Sequence, residues 1–279
     1  MSFCPGSQMD WRSVAAPPPV DLTARESEQH SIYLLLAMAL VFDGWCVNKT
    51  RPEQVQAYAA GAPDRIFAAY LGHNVGALVV DPREGILAFA LNRNVELRST
   101  LEHAEARAIR HAINRRNKAG IDGDDLWSFT GLLKGVRIYA TLEPCSQCAG
   151  IAELANLEAV VYAQDDPFQC GVANVLYNLH LHLRSGAAAS PLPIRATFFP
   201  LWNELAAAYA DFVASKPSHG RTGLTSFLET FQAYAIYREA AERLDRVVVK
   251  DPENAIVLEH AQAFRRDRAS QLQRGLTPL

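Results

Sequence analysis

The segment VRIYATLEPCSQCAGIAELANLEAVVYAQ, residues 136–164, contains the pattern that decides the fold. Its two ends, VRIYATLE and AVVYAQ, are short apolar runs that predict strands. The middle, CSQCAGIAELANL, is rich in helix formers and follows Pro144, a residue type that suits the start of a helix. A strand, a helix and a second strand in this order are typical of a sheet that is at least partly parallel.

The sequence on either side of this unit continues the alternation of strands and helices. Residues 74–94 hold two apolar runs separated by the turn-forming stretch DPREG, which predicts a hairpin, and residues 101–117 have helical periodicity. Downstream, residues 171–183 and 200–216 predict helices, and the run PIRATFF at 193–199 predicts a strand between them. We therefore expect an α/β fold with helices on both faces of the sheet, a three-layer α/β/α sandwich.

The two ends of the chain differ from this central region. Residues 1–25 include a run of three prolines and show little periodicity, so we expect an irregular N-terminal arm. Residues 26–216 form the predicted main domain, with an insertion over residues 43–72. Residues 217–279 have helical patterns and caps of their own, which predicts a helical C-terminal extension.

The predicted extension shows two helix starts and two clusters of side chains. Thr225 or Ser226 is expected to cap one helix, and Asp251, followed by a proline, the second. The aromatic residues have helical spacing and predict packing within the protein or a dimer rather than base stacking. The arginines predict a solvated helix face, with phosphate binding left open. The aromatic residues are Phe227, Phe231, Tyr234 and Tyr237, and the arginines are Arg265, Arg266 and Arg268.

Cys145 and Cys148 lie three positions apart at the start of a predicted helix. This spacing lets both sulfur atoms reach one metal ion, and the positive end of the helix dipole favours thiolates there. His103 begins another predicted helix and completes a set of three protein ligands. Because three ligands leave one position for water, the set predicts a catalytic zinc (Zn²⁺) site. Glu105, two residues beyond His103, is placed to exchange protons with that water.

Together, His103-Ala104-Glu105 and the PCSQC stretch at 144–148 form the H-x-E and P-C-x-x-C motifs typical of zinc-dependent nucleobase deaminases. Over residues 74–215 the chain resembles the cytidine deaminase-like superfamily, and within it the branch of the bacterial tRNA-adenosine deaminases. The stretches VGALVV and TLEPCSQCAG and the pair Asn92-Arg93 carry this resemblance. The resemblance implies hydrolytic deamination of an amino-purine or amino-pyrimidine base, with adenine favoured.

The resemblance also implies a cytidine deaminase-like α/β/α sandwich and a homodimer. It implies that Asn92 and Asp166 contact a nucleobase-containing substrate and that the backbone of Ala104 lies near the reacting centre. The chain departs from the family pattern at Asp165, where a basic residue is usual, and we recognise no counterpart for the residues after 215. A free base, a nucleoside, a nucleotide and RNA all stay open as substrates.

The composition limits the classes of protein to which this chain can belong. Hydrophobic residues make up 49% of the chain and charged residues 20%, which is typical of a soluble globular protein. No apolar run reaches the roughly 18 residues that a membrane helix requires, and the first residues lack the pattern of a secretory signal. We therefore expect a cytoplasmic protein with no membrane partner. The net charge of −3 favours only local contact with RNA.

Two functional hypotheses follow from these patterns. The first is a zinc-dependent hydrolase that removes the amino group of a nucleobase and releases ammonia. The second is a catalytically silent, zinc-bearing scaffold or binding subunit of a deaminase-type complex. Glu105 favours the first hypothesis, because a purely structural zinc site has no use for a proton-transfer group.

Overall fold

The computed structural model of the chain describes residues 20–47, 70–119, 131–166, 191–216 and 223–273. Three sequence predictions fall largely or wholly outside these ranges. They are the N-terminal arm before residue 20, most of the insertion at 43–72 and the helix at 171–183.

The predicted hairpin is present as strands β1 (Gly76–Asp81) and β2 (Gly85–Leu91). In the turn between them, Asp81 Oδ1 accepts hydrogen bonds from the backbone amides of Arg83 and Glu84, at 2.6 and 3.1 Å. Gly85 ends the turn with a φ of 81°, a conformation that residues with a side chain rarely adopt. The turn sequence thus fixes the pairing of the two strands.

Three further strands complete a mixed sheet. They are β3 (Arg137–Ala140), β4 (Ala159–Tyr162) and β5 (Leu192–Arg195), and the strand order is β2-β1-β3-β4-β5. Strand β1 runs antiparallel to β2 and β3, whereas β3, β4 and β5 are parallel. The carboxyl ends of β2, β3, β4 and β5 therefore meet at one edge of the sheet, which we call the carboxyl edge.

Helices lie on both faces of this sheet, so the predicted three-layer α/β/α fold is confirmed. Strand β1 is buried along its whole length and needs cover on both sides; α1 and α2 both pack against it. On the α1 face, the ring of Tyr139 in β3 lies 4.9 Å from that of Tyr33. The helices are α1 (Ala24–Asp43), α2 (Ala104–Lys118), α3 (Ser146–Leu154), α4 (Trp202–Ala214), α5 (Leu224–Phe227), α6 (Phe231–Arg246) and α7 (Ala255–Gln273).

Helix α1 is the centre of the α1 face. Thr23 and Glu26 form a capping box at its start. The helix begins at Ala24, so the last two residues of the predicted 1–25 arm are helical. The stretch 32–41 is completely buried, because the sheet covers one side of it and α6 and α7 cover another.

The C-terminal helices share one hydrophobic core with the sheet. The aromatic stripe packs inward as predicted: Tyr234 contacts Phe42, and Tyr237 contacts Trp45, with ring centroids 5.2 Å apart in both pairs. Among the described residues, no helix combines the length and apolar character that crossing a membrane requires. The division of the chain into a main domain and an extension stays a prediction.

One of the two predicted helix starts in the extension is wrong. Thr225 and Ser226 lie inside the single turn α5, and the long helix α6 begins instead after Thr230, whose side chain accepts a hydrogen bond from the amide of Ala233. The other is confirmed, since the Asp251 side chain accepts from the amide of Glu253 at a short 3-10 turn that leads into α7. Several Ser and Thr residues in this loop could each cap a helix, and the packing of the helix determines which of them does so.

Candidate metal centre

Two helix N-termini bring the predicted metal ligands together at the carboxyl edge. His103 is the N-cap residue of α2 and Cys145 the N-cap residue of α3, and neither side chain is used for capping. Cys148 lies in the first turn of α3, so its side chain faces the same end of the helix. The positive ends of both helix dipoles therefore favour negative charge on the two sulfur atoms.

The donor atoms have the spacing that zinc requires. Cys145 Sγ and Cys148 Sγ lie 3.5 and 3.7 Å from His103 Nδ1 and 3.6 Å from each other. Ligands placed tetrahedrally at about 2.1–2.3 Å from zinc lie about 3.5–3.8 Å apart. Within the described ranges, this is the one group of His, Cys, Asp and Glu side chains close enough to share an ion. The donor set fits a zinc ion with three protein ligands.

The three ligands interact with one another through hydrogen bonds. The hydrogen bond between the two cysteines, together with that to His103, lowers the pKa of Cys145 to about 4, although burial opposes this. The same bond, with burial, raises the pKa of Cys148. The hydrogen bond to Cys145 also raises the pKa of His103. Because zinc binds cysteine as thiolate and histidine as neutral imidazole, metal binding should depend on pH.

Glu105 lies next to the cluster but is not part of it. It is the second residue of α2 and is only 4% exposed. Burial is the main reason that the pKa of its carboxyl group is raised above the usual range, and the negative charge of Cys145 acts in the same direction. A carboxyl group with a raised pKa is a stronger base than an exposed one and is suited to accept and return a proton.

The predicted substrate residue Asn92 lies at the same edge, directly after β2. It is 5% exposed, and its Oδ1 accepts a hydrogen bond from the amide of Asn94 at 3.1 Å. The next residue, Arg93, donates its backbone N–H to the carbonyl of Glu102, the residue before His103. Asn92 is therefore tied to the segment that carries the first metal ligand. Ala104, the first residue of α2, is completely buried.

Asp166 follows β4 and is also held at this edge. Its backbone N–H donates to Glu143 Oε2 at 2.9 Å, while the N–H of Glu143 donates to the carbonyl of Gln164 at 2.8 Å. Glu143 thus fastens the turn after β4 to the segment that leads into Cys145. The sequence analysis assigned Glu143 no role. The available signal was an acidic residue inside the otherwise apolar end of a predicted strand, in the TLEP stretch. The contact of Asp166 with substrate stays a prediction.

Asp165, where the family pattern has a basic residue, is neutralised within the fold. Arg195 at the end of β5 donates to both carboxylate oxygens of Asp165. The negative charge of Asp165 is therefore paired with a cation on the neighbouring strand.

Arg265, one of the arginines predicted to lie on a solvated helix face, is also paired. It forms ion pairs with Asp43 and Asp245, so its charge is used within the fold rather than kept for a phosphate group.

Comparison with known proteins agrees with this geometry. Residues 50–164 match the model of the cytidine and deoxycytidylate deaminase zinc-binding region. The chain is 35% identical over 101 residues to a tRNA-specific adenosine deaminase of Aquifex aeolicus, which covers 36% of this chain and 58% of the relative. It is 32% identical over 114 residues to one of Agrobacterium fabrum, which covers 40% and 61%. The chain thus spans about three fifths of the length of these relatives.

A solved structure from work on A-to-I editing by tRNA:A34 deaminases is 25% identical to the chain. The match covers 51% of this chain and 92% of the other, with a TM-score of 0.32. The interpretation of the site as a deaminase zinc centre is based on the sequence motifs, on the spacing of the donor atoms and on the region matched by the family model. Residues 50–164 therefore resemble the cytidine and deoxycytidylate deaminase zinc-binding region, and part of the chain is similar to tRNA-specific adenosine deaminases.

Proposed function

We propose that the protein catalyses the zinc-dependent hydrolytic deamination of an amino-purine or amino-pyrimidine base, in which water replaces the amino group and ammonia is released. The observation that carries this proposal is the buried carboxyl group of Glu105 beside the three-ligand cluster. A fully enclosed structural metal site usually has four protein ligands and no neighbouring acid of this kind. The arrangement supports a site that activates water.

Each residue then has a distinct task. His103, Cys145 and Cys148 hold zinc, which when bound lowers the pKa of a water molecule toward neutrality and so supplies a nucleophile. Glu105 accepts one proton from the attacking water and delivers it to the ring nitrogen, and then accepts the second proton of that water and delivers it to the departing amine. Asn92, Asp166 and the backbone of Ala104 contact the substrate.

Adenine is the favoured base, in a nucleoside, a nucleotide or RNA. The relatives from Aquifex aeolicus and Agrobacterium fabrum are tRNA-specific adenosine deaminases, which supports this choice. The net charge of −3 limits an RNA contact to a local surface near the site. We propose further that the protein is a cytoplasmic homodimer; light scattering on the purified protein should give twice the mass of the chain.

The decisive experiment measures ammonia release by the zinc-loaded protein. The panel contains adenosine, cytidine, guanine and short RNAs that present an unpaired adenosine, each tested with the parent and with Glu105→Gln. We expect release from at least one member by the parent, and a hundredfold or greater loss in the variant. A zinc-loaded, folded parent that releases no ammonia from any member would contradict the proposal and favour the scaffold hypothesis.

A further inference from the structure

Gln164 is a buried side chain whose hydrogen-bonding groups are not used by the fold. It lies two residues after β4 and is 4% exposed. Within the described residues, neither its Oε1 nor its Nε2 has a hydrogen-bond partner. A buried amide that makes no hydrogen bond destabilises the folded state, so its presence requires an explanation.

The other unpaired atoms in the described ranges have a different character. Arg107 and Arg116 each lack a partner only at Nε, while their terminal nitrogens bind carboxylates. Asn94 and Tyr237 each have one unpaired oxygen. Among these described side chains, Gln164 alone has two separate polar atoms, the amide oxygen and the amide nitrogen, both without a partner. A position that served only packing would be filled equally well by Leu or Met.

The position of Gln164 connects it to the metal centre. Its carbonyl accepts the 2.8 Å hydrogen bond from the amide of Glu143, and Glu143 precedes Cys145 by two residues. Two residues of chain span at most about 7 Å. The backbone of Gln164 therefore lies within roughly 10 Å of a zinc ligand. It is also held at the carboxyl edge of the sheet, where Asn92, Asp166 and Glu105 are found.

We propose that Gln164 is a substrate-binding residue that recognises the base. A carboxamide presents an acceptor and a donor side by side, which complements a heterocycle edge that carries an N–H group beside a ring nitrogen. In an adenine base the amino group and N7 form such an edge, on the other side of the amino group from the ring nitrogen that Glu105 protonates. The inference rests on the proposed function, and it explains why the amide is unpaired in the substrate-free protein.

Two effects of opposite sign follow from replacing Gln164 by Met, which is unbranched and of similar length but has no amide. The substrate-free protein loses two unpaired buried groups, so its Tm should be unchanged or higher. Substrate loses a two-point contact, so KM should rise about tenfold to hundredfold. Because the contact includes the amino group that leaves, kcat should fall as well as KM rise.

Gln262 on α7 offers a matched control. Its Nε2 donates to the carbonyl of Leu244 at 2.8 Å, so its amide has a structural partner. Gln262→Met should lower the Tm and leave KM unchanged, which is the reverse of the result expected for Gln164→Met. The comparison separates an amide that supports the fold from one that is kept for substrate.

The experiment determines Tm, kcat and KM for the parent and both variants with the panel member that the parent deaminates. In addition, the affinity for that member is titrated calorimetrically in the Glu105→Gln background, with and without Gln164→Met. A Tm that is maintained with weaker binding supports the inference. A KM within twofold of the parent, or a Tm loss like that of Gln262→Met, overturns the inference alone. A parent that neither deaminates nor binds any member overturns the proposed function and this inference with it.

Discussion

Arg265 on α7 and Asp43 at the end of α1 form a two-point ion pair across 222 positions of sequence. Arg265 Nε and one terminal nitrogen donate to the two carboxylate oxygens of Asp43 at 2.9 and 3.1 Å. The side chains are only 15% and 10% exposed, and a further nitrogen of Arg265 donates to the carbonyl of Ala241. This pair joins the C-terminal helices to the first helix of the fold.

Breaking the pair should destabilise the whole protein. Arg265→Ala leaves Asp43 buried and without its cation, which should lower the free energy of unfolding by about 3 kcal/mol. The neighbouring Arg266 is exposed, and Arg266→Ala should change stability by less than about 0.5 kcal/mol. Urea denaturation monitored by circular dichroism gives both values. Equal, small effects of the two substitutions would show that α7 is not anchored here.

The metal centre predicts one zinc ion per chain. Elemental analysis of protein purified without chelator should give a ratio near one, and replacement of both Cys145 and Cys148 by Ala should abolish zinc retention. Because zinc at about 1,000 times its dissociation constant stabilises the folded state by about 4 kcal/mol, adding a chelator should lower the Tm. Cys46 is buried outside the cluster and serves as the comparison, so Cys46→Ser should keep the zinc. Unchanged zinc in the double variant would disprove the ligand assignment.

Glu105→Gln should keep zinc and fold but lose turnover. Glutamine is nearly isosteric and can still form a hydrogen bond, so the helix and the three ligands are not disturbed. It cannot take up a proton at neutral pH, and general acid-base catalysis is worth about a hundred- to ten-thousandfold in rate. The loss should appear in kcat, while substrate affinity is held or tightened. The exposed Glu259 provides the matched control, Glu259→Gln. Turnover within a few fold of the parent would exclude Glu105 as the proton-transfer group.

Stability should fall in mild acid because of His30. Burial lowers the pKa of His30 in α1 to about 4, and its Nδ1 shares a 2.9 Å hydrogen bond with the hydroxyl of Tyr139. Between pH 6.5 and pH 4 the unfolded chain binds a proton here that the folded chain does not, so stability is lost as the pH falls through this window. The loss should be about 3 kcal/mol.

The variant His30→Gln isolates this contribution, since glutamine is polar but does not titrate. Its unfolding free energy should be lower than that of the parent at pH 7 yet depend less on pH between 6.5 and 4. Titration of all other groups, including the metal ligands, is common to both proteins and cancels in the difference. Parallel stability curves for the two proteins would show that His30 is not buried in its neutral form.

The metal site was predictable because its signals are local. Each motif lies within one turn at the start of a helix, where the backbone determines the direction of the side chains. One turn holds Cys145 and Cys148, and the other holds His103 and Glu105. The hairpin was predictable for the same reason, through Asp81 and Gly85. His103 and Cys145 are 42 positions apart in the sequence. Their contact could be predicted only because the two motifs occur together in the chain.

The remaining features depend on contacts that leave no local pattern. Nothing near Arg265 in the sequence indicates that Asp43 is its partner. For this reason the sequence predicts that Arg265 lies on a solvated helix face. The choice of Thr230 over Thr225 as a helix cap depends on how α6 packs against α1. The unpaired state of Gln164 is visible only once the groups around it have been placed.

The burial of α1 has a consequence for synthesis of the chain. The ten residues from Ile32 to Val41 are translated well before α6 and α7, which cover one side of them. At about 5–20 residues per second, the ribosome needs about 10–40 s to reach α6 from α1. During that interval strands β1 and β3 become available to one side of α1, but the side that α6 and α7 cover stays exposed. We expect the early translation products to recruit chaperones and, when released before residue 231, to aggregate.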